Sequence, residues 1–422
     1  MSEPWHWNAP QLSAAFARRT LSPVEAARAL LSRIRKLDSQ VNSFCLIDEG
    51  TTLDQAQASE ERWVRGAPLS PLDGVPVAVK DLLLTRGWPT LRGSRTIDPS
   101  QAWDLDSPVI ARLREAGAVL LGKVTTPDHG WKGVTDSPLT GITRNPWNLD
   151  KTPGGSSGGS SAALAARLAP LALGTDGGGS IRIPASFAGV FGIKPNFGRV
   201  PAWPGSPFGT LSHLGPMSRD VEGSAMLLDV MVRPDARDWQ ALPTTEKSFA
   251  ADLRGGVKSK RIAFSPTLGH SKNVEPQVAE LVAAAARRFA DLGAHIEEVD
   301  PPGGDPGGGS DCQSRASGRL ITSSSMALPS TSRLIGPRCA KVPNGEDGQA
   351  GTRPKLGLMP KVPVKPAGMR IDPPPSVPSA SGASRAATAA DDPPDEPPGV
   401  LSRFQGLRVM PVKGESVTPF QP

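Results

Sequence analysis

The sequence predicts an α/β protein built on a central β-sheet that helices cover on both faces. Short apolar runs of strand length alternate with amphipathic helical segments through the first 300 residues, a rhythm typical of such layered folds. The run 75–79 is continuously apolar, which is typical of a strand buried on both sides. Hydrophobic residues make up 38% of the chain, enough to form a buried core.

The clearest helical signal is a capping box at Ser22 to Glu25 with Pro23 at the first helical position. The helix is expected to run to about Leu37, with Ala26, Leu30 and Ile34 on one face. Further helices are predicted over 52–65, 107–116, 160–168, 221–232 and 275–292.

Strands are predicted over short segments of three to seven residues that alternate with the helices. The strand over 75–79 ends at Lys80 and Asp81, and a Pro/Gly cluster over 201–209 predicts a loop. The other predicted strands are 41–47, 118–121, 171–173, 190–193, 261–264 and 295–299.

The composition changes after about residue 300 and indicates a domain boundary. Of the 45 prolines, 21 lie in the last 122 residues, and no tryptophan follows Trp239. We therefore expect one domain over 1–300, with its core in about 70–230, and a Pro/Gly/Ser-rich tail over 301–422 that is poorly ordered. A loop-rich cap is the alternative for the tail.

Charge and cysteine usage exclude several classes of function. The formal net charge is +6 with basic residues scattered, so no direct contact with nucleic acid is expected. The three cysteines, Cys45, Cys312 and Cys339, form no CxxC or Cys/His cluster, so we expect no metal and no cofactor. Neither a signal peptide nor an apolar run of 18 residues is recognisable, which predicts a cytoplasmic protein with no membrane contact.

Two glycine–serine loops form the most informative stretch. The first covers 153–161, and the second runs from Gly174 through three glycines to Ser180 and Arg182. Glycines at this density allow close approach of the backbone. If a helix begins near Ser180, its N-terminal amides point at whatever that serine attacks, which suits an oxyanion.

Alternative roles for these loops fit the sequence less well. A flexible linker does not need the apolar segments 171–173 and 187–193 that frame them. A phosphate-binding loop requires a lysine after its glycines, and no lysine follows these glycines at the required spacing. The sequence does not match the dinucleotide-binding fingerprint either. Neither GxSxG nor a nearby histidine accompanies Ser180, which weakens the case for a histidine-assisted hydrolase.

A nucleophilic serine needs a base, and Lys80 is the candidate. It follows the apolar run 75–79, so it is expected to be partly desolvated, and desolvation lowers the pKa of a lysine. A satisfied ion pair with Asp81 or another acid is the commoner fate of such a residue, and the spacing alone leaves both interpretations open.

These segments resemble the amidase signature family over about residues 8–300. The resemblance implies an α/β/α sandwich with a mixed central sheet. It also implies that residues 1–300 form an amidase signature domain. The motifs that carry it are 74–81, 143–148, 154–159, 174–182 and 192–195.

The resemblance implies a Ser–cisSer–Lys triad that hydrolyses carboxamide C–N bonds. Ser180 would be the nucleophile that forms an acyl-enzyme and releases ammonia or an amine. Ser156, preceded by a cis bond after Gly155, would bridge it to a neutral Lys80.

Further positions acquire roles only through this resemblance. The backbone N–H groups of Gly177, Gly178, Gly179 and Ser180 would form the oxyanion hole. Ser157 would support its loop, and Asp176 would pair with Arg182. Asp128 and His129 are expected near the pocket without assigned chemistry.

Two alternative functions remain open from the sequence. One is the transamidating A-type subunit of a tRNA-dependent amidotransferase, which shares these motifs and needs partner subunits. The other is an inactive homologue that acts at most as a binding scaffold, because nothing after about Pro306 resembles the family. The aperiodic tail also suggests translation in a shifted reading frame. The expected partner is a small or aryl-substituted amide, and a homodimer is compatible with the resemblance.

Overall fold

The computed structural model describes residues 3–245, 247–271 and 273–301. Its helices are α1 (Ala9–Arg18), α2 (Pro23–Val41), α3 (Glu49–Arg65), α4 (Pro108–Glu115), α5 (Gly158–Ala165), α6 (Arg182–Ala188), α7 (Val221–Met231) and α8 (Pro276–Asp291). Its strands are β1 (Phe44–Ile47), β2 (Pro76–Lys80), β3 (Val119–Val124), β4 (Asp136–Ser137), β5 (Gly141–Ile142), β6 (Leu171–Asp176), β7 (Phe191–Gly192), β8 (His213–Ser218), β9 (Arg261–Phe264) and β10 (His295–Glu298).

A six-stranded mixed sheet with the order β1-β3-β2-β6-β8-β7 forms the centre of the fold. Strand β2 runs parallel to both of its neighbours, β3 and β6, while β1, β8 and β7 are antiparallel to the strands they join. Strands β9 and β10 form a separate parallel pair connected by α8. The predicted mixed sheet is therefore confirmed.

Side chains of the sheet alternate between two hydrophobic clusters, one on each face. Val77 and Val79 belong to the first cluster and Ala78 to the second. The same alternation holds at 120–121 and 171–173, as the two-residue period of a strand requires. Helices α1, α4 and α7 line the first cluster, while α5, α6 and part of α2 line the second. The prediction of helices on both faces is confirmed.

Several boundaries differ from the sequence-based expectations for identifiable reasons. Helix α1, with Pro10 in its first turn, and strand β8 were not predicted. Pro216 stands in the middle of β8 and pairs in register with Leu173 of β6, whereas proline in a run normally argues against a central strand. The predicted strand over 190–193 shrinks to Phe191–Gly192.

Of the tail expected over 301–422, residues 302–422, which include Cys312 and Cys339, lie outside the described residues. No described helix combines the length and the apolar character needed to cross a bilayer.

The capping box predicted at the start of α2 provides a stability test. Glu25 N–H donates to Ser22 Oγ at 3.1 Å, and Ser22 N–H donates to a Glu25 carboxylate oxygen at 2.7 Å. We expect Ser22→Ala to lower the free energy of unfolding by about 1 kcal/mol, because one N-terminal amide loses its acceptor. Urea denaturation followed by circular dichroism measures the loss.

The matched control is Ser32→Ala, at an exposed position inside the same helix. Alanine is the better helix former there, so this variant should be as stable as the parent. Equal destabilisation by both substitutions would contradict the capping assignment.

Candidate active site

Lys80 is the last residue of β2 and is fully buried. Because strand side chains alternate between faces, Lys80 points to the same face as Ala78, where α5 packs against the sheet. The first glycine–serine loop leads directly into α5. The lysine side chain therefore meets the serines of that loop.

Three hydroxyl groups surround the Lys80 amine. Its Nζ lies 2.9 Å from Ser156 Oγ, 2.8 Å from Ser157 Oγ and 2.8 Å from Thr175 Oγ1. All three are hydrogen-bonding distances. The structure thus brings together Lys80 and Ser156, as the resemblance implied, and adds two hydroxyls to the contact set.

The amine has no carboxylate partner within ion-pair distance among the described residues. The neighbouring Asp81 instead faces Lys123, whose Nζ lies 3.8 Å from Asp81 Oδ1. Burial lowers the pKa of Lys80 well below its usual value, and the more distant charge of Asp176 opposes this only in part. The alternative of an ion pair with Asp81 therefore does not apply, and the environment favours the neutral amine.

Counting protons shows which hydroxyl can donate to a neutral Lys80. Ser157 Oγ accepts from Thr175 N–H and from Lys80, and it donates to the Thr175 carbonyl at 3.2 Å. Its single hydrogen is therefore engaged. A lone pair on Nζ can accept only from Ser156 or Thr175, and both of these side chains reach the cavity described below.

Close backbone packing holds the first loop against the sheet. The Gly155–Ser156 peptide bond is cis, as the resemblance implied. A Cβ at Gly155 would lie 2.7 Å from the Val134 backbone, and one at Gly159 would lie 2.4 Å from Thr125 N. Neither position has room for a side chain, so glycine is required at both.

Asp176 holds the second loop in shape. Its buried carboxylate accepts two hydrogen bonds from Arg182, both of 2.9 Å, and further ones from Gly179 N–H at 2.7 Å and Ile181 N–H at 3.2 Å. Although burial opposes it, this set of donors lowers the pKa of Asp176. The structure contains the Asp176–Arg182 pair that was predicted.

One expectation about the oxyanion hole is corrected. Gly179 was expected to contribute its N–H, but that group already donates to Asp176. Gly177, Gly178 and Ser180 line the cavity, so their amides are the remaining candidates. The Ser180 carbonyl accepts from Ser157 N–H at 3.1 Å, which ties the two loops together.

A cavity of about 830 Å³ opens onto Ser156 and Ser180. His129 also lines it, while Asp128 accepts a hydrogen bond from Ser94 Oγ at 3.2 Å. The larger apolar side chains of the wall are Leu82, Leu84, Trp131, Ile183, Trp203, Phe208 and Leu211. Within the described ranges, no group of three or more His, Cys, Asp or Glu side chains is placed to hold a metal ion.

Sequence reasoning missed Thr175 and the aromatic wall. A signal for Thr175 existed, because it lies at the carboxyl end of β6 beside Lys80 at the carboxyl end of β2. Neighbouring parallel strands end at the same edge of a sheet, where ligand sites form. The aromatic side chains of the wall come from segments outside helices and strands, namely those of Trp131, Trp203 and Phe208. Such segments have no sequence period that would indicate which way a side chain faces.

Comparisons with known proteins agree with the resemblance that these motifs indicate. A family model described as Amidase matches residues 25–306. An acylamidase of Rhodococcus erythropolis is 40% identical over 304 residues, which cover 71% of this chain and 63% of that protein. The A subunit of the glutamyl-tRNA(Gln) amidotransferase of Pseudomonas putida (strain GB-1) is 39% identical over 293 residues, which cover 69% of this chain and 60% of that protein.

Solved structures give the same result. A bacterial aryl acylamidase of the amidase signature family superposes with a TM-score of 0.65 at 34% identity, covering 70% of this chain and 61% of that one. The peptide amidase of Stenotrophomonas maltophilia gives 0.63 at 28% identity, covering 69% and 62%.

The chain spans 60% to 63% of the length of the two curated relatives. The family model nevertheless matches well over half of the chain, and the shared region contains both glycine–serine loops and Lys80. The chain belongs to the amidase signature family.

Proposed function

We propose that this protein hydrolyses carboxamide C–N bonds through Ser180, Ser156 and Lys80. The observation that carries the proposal is the buried amine of Lys80, 2.9 Å from Ser156 Oγ and without a carboxylate partner among the described residues. A neutral amine in this position is a base, and a base is what a nucleophilic serine requires. The similarity to acylamidases and a peptide amidase supports the same reaction class.

The proposed steps move two protons along one path. Ser180 Oγ attacks the amide carbonyl carbon and gives its proton to Ser156 Oγ, while Ser156 passes its own proton to Lys80 Nζ. The path then runs in reverse to protonate the leaving amine, and the C–N bond breaks to leave an acyl-serine. Water repeats the attack with the same proton path, releasing the carboxylic acid and free Ser180.

Charge on the carbonyl oxygen must be stabilised during attack. The amides of Gly177, Gly178 and Ser180 are the proposed donors, and each correctly placed donor contributes ~3 kcal/mol to transition-state stability in comparable acyl-transfer sites. Asp176 acts indirectly, because its contacts with Arg182 and Gly179 fix the loop that carries those donors.

A small-molecule amide is the proposed substrate. The proposed location is cytoplasmic, which the odd number of cysteines supports.

An A-type subunit of an amidotransferase is the second candidate, because such subunits are 39% to 40% identical to this chain, as the acylamidase is. Glutamine-dependent amide formation together with co-purifying partner subunits would favour this candidate. Hydrolysis of simple amides by the isolated chain would favour the first. An inactive scaffold would show neither activity.

Labelling with a fluorophosphonate tests the nucleophile directly. We expect a single adduct that mass mapping places on Ser180, because only an activated serine reacts with such a probe. The label should disappear in Lys80→Ala, which removes the base. A folded protein that takes no label would contradict the proposal and favour the scaffold, whereas a label at another serine would contradict the assignment of Ser180 as the nucleophile.

Serine substitutions test the order of the relay. Ser180→Ala should abolish amide turnover, and Ser156→Ala should reduce kcat by on the order of 10²- to 10⁴-fold because the proton path is broken. Steady-state ammonia release measures both. The control is Ser100→Ala, an exposed serine outside the cavity. Full activity of Ser180→Ala would refute the assignment.

The pH dependence tests the charge state of Lys80. Burial lowers the pKa of Lys80 well below that of an ordinary lysine, so kcat/KM should reach its plateau at a lower pH than an ordinary lysine base allows and fall as the pH drops through the lowered pKa. A base with an ordinary lysine pKa of about 10.4 would instead lose activity about tenfold per unit below pH 10. A pH–rate profile that rises steadily to pH 10 would contradict the assignment.

Replacing Lys80 by arginine provides a second test of the base. The guanidinium stays protonated throughout this pH range and cannot accept a proton, so Lys80→Arg should lose activity by about 10²-fold or more. Lys36→Arg, an exposed substitution of the same type on α2, is the control and should retain the parent rate and pH profile.

A further inference from the structure

Two aromatic side chains stack across the cavity from distant parts of the sequence. The ring centroids of Trp131 and Phe208 lie 5.6 Å apart with an interplanar angle of 18°. Both residues line the cavity that contains Ser156 and Ser180. Trp131 is nevertheless 76% exposed, so most of the indole surface is left uncovered beside the site.

The chain segments that carry this pair border the proposed reacting groups. A Cβ at Gly130 would lie 3.4 Å from Ser156 Oγ, so the residue just before Trp131 borders the proposed relay serine. A Cβ at Gly177 would lie 3.8 Å from the Leu211 carbonyl, so the short turn after Phe208 borders the proposed oxyanion loop. The segments that carry the aromatic pair therefore border both the proposed relay serine and the proposed oxyanion loop.

The remaining wall of the cavity combines apolar side chains with basic and hydroxyl groups and carries no acid among the described residues. Leu82, Leu84 and Ile183 contribute aliphatic surface, and the ionisable side chains that line it are Arg92, His129 and Lys132. Lys132 is paired with Asp136. Such a wall favours neutral or apolar groups over cations, because a cation entering it would find no counter-charge.

On the basis of the hydrolysis proposed above, we propose that the substrates are amides bearing an aromatic ring, and that this ring packs on the Trp131–Phe208 pair. Aromatic rings gain additional free energy from offset or edge-to-face contacts beyond the area they bury. A saturated ring of the same carbon count buries comparable area without that gain. The pair therefore discriminates by ring type as well as by size.

Matched substrates separate ring recognition from leaving-group chemistry. 2-Phenylacetamide and 2-cyclohexylacetamide release the same ammonia, and N-benzylacetamide and N-(cyclohexylmethyl)acetamide both release a primary alkylamine. We expect the aromatic member of at least one pair to have the higher kcat/KM, by about fivefold to tenfold. The preference should fall to about twofold or less in Trp131→Leu and in Phe208→Leu.

Trp239→Leu is the matched control, since Trp239 is 88% exposed and does not line the cavity. It should keep the parent preference. Circular dichroism and thermal melting of each variant establish that the fold is intact. Retention of the full preference in both Trp131→Leu and Phe208→Leu would overturn the proposal, as would the absence of any preference in the parent protein.

A binding measurement keeps this inference separate from the proposed hydrolysis. Calorimetric titration of the Ser180→Ala protein with the same two pairs should show tighter binding of an aromatic member, again by about fivefold to tenfold. Equal affinities for both members of each pair would refute the aromatic site whether or not the parent protein hydrolyses amides. Preferential binding of an aromatic member, together with no hydrolysis of any of the four amides by the parent protein, would count against the proposed hydrolysis and leave the aromatic site standing.

Discussion

The amine of Lys80 is fully buried, and its hydrogen-bond partners are hydroxyl groups. A buried lysine usually has a carboxylate partner instead. A charged ammonium there would lack a counter-ion, and burying an unpaired charge is costly. Losing the proton avoids that cost and leaves a base beside Ser156. The same burial that disfavours the charge therefore favours the neutral base that the proposed mechanism requires.

The acid next to Lys80 in the sequence, Asp81, does not pair with the Lys80 amine. Asp81 directly follows Lys80, yet it contacts Lys123, which also donates to Leu83 O and Thr90 Oγ1. Burial raises the pKa of Asp81 to about 6 and lowers that of Lys123 to about 8, each opposed by the charge of the other. Two buried lysines thus have different surroundings, one with a carboxylate partner and one with hydroxyls.

Much of this arrangement could be predicted because it depends on local signals. The apolar run before Lys80 predicted a buried strand, and the glycine–serine motifs indicated two loops of close backbone approach. Residue roles came from the family resemblance rather than from spacing, which left the ion pair with Asp81 open. Gly179 was assigned to the oxyanion hole through the family resemblance, but only the folded loop reveals that Asp176 already accepts a hydrogen bond from the Gly179 N–H. Trp131 and Phe208 meet through tertiary packing alone, which no sequence period indicates.

The proposed relay residues and the aromatic pair come from different kinds of structural element. Lys80 and Thr175 stand at the ends of adjacent parallel strands, and Ser156 precedes a helix packed on the same sheet. A proton relay needs atoms held within a few tenths of an ångström, which such elements provide. The aromatic pair comes from connecting segments, where side chains can change without disturbing the sheet. The proposed ring recognition can therefore be tested by substitutions in the cavity wall that leave the proposed relay residues unaltered.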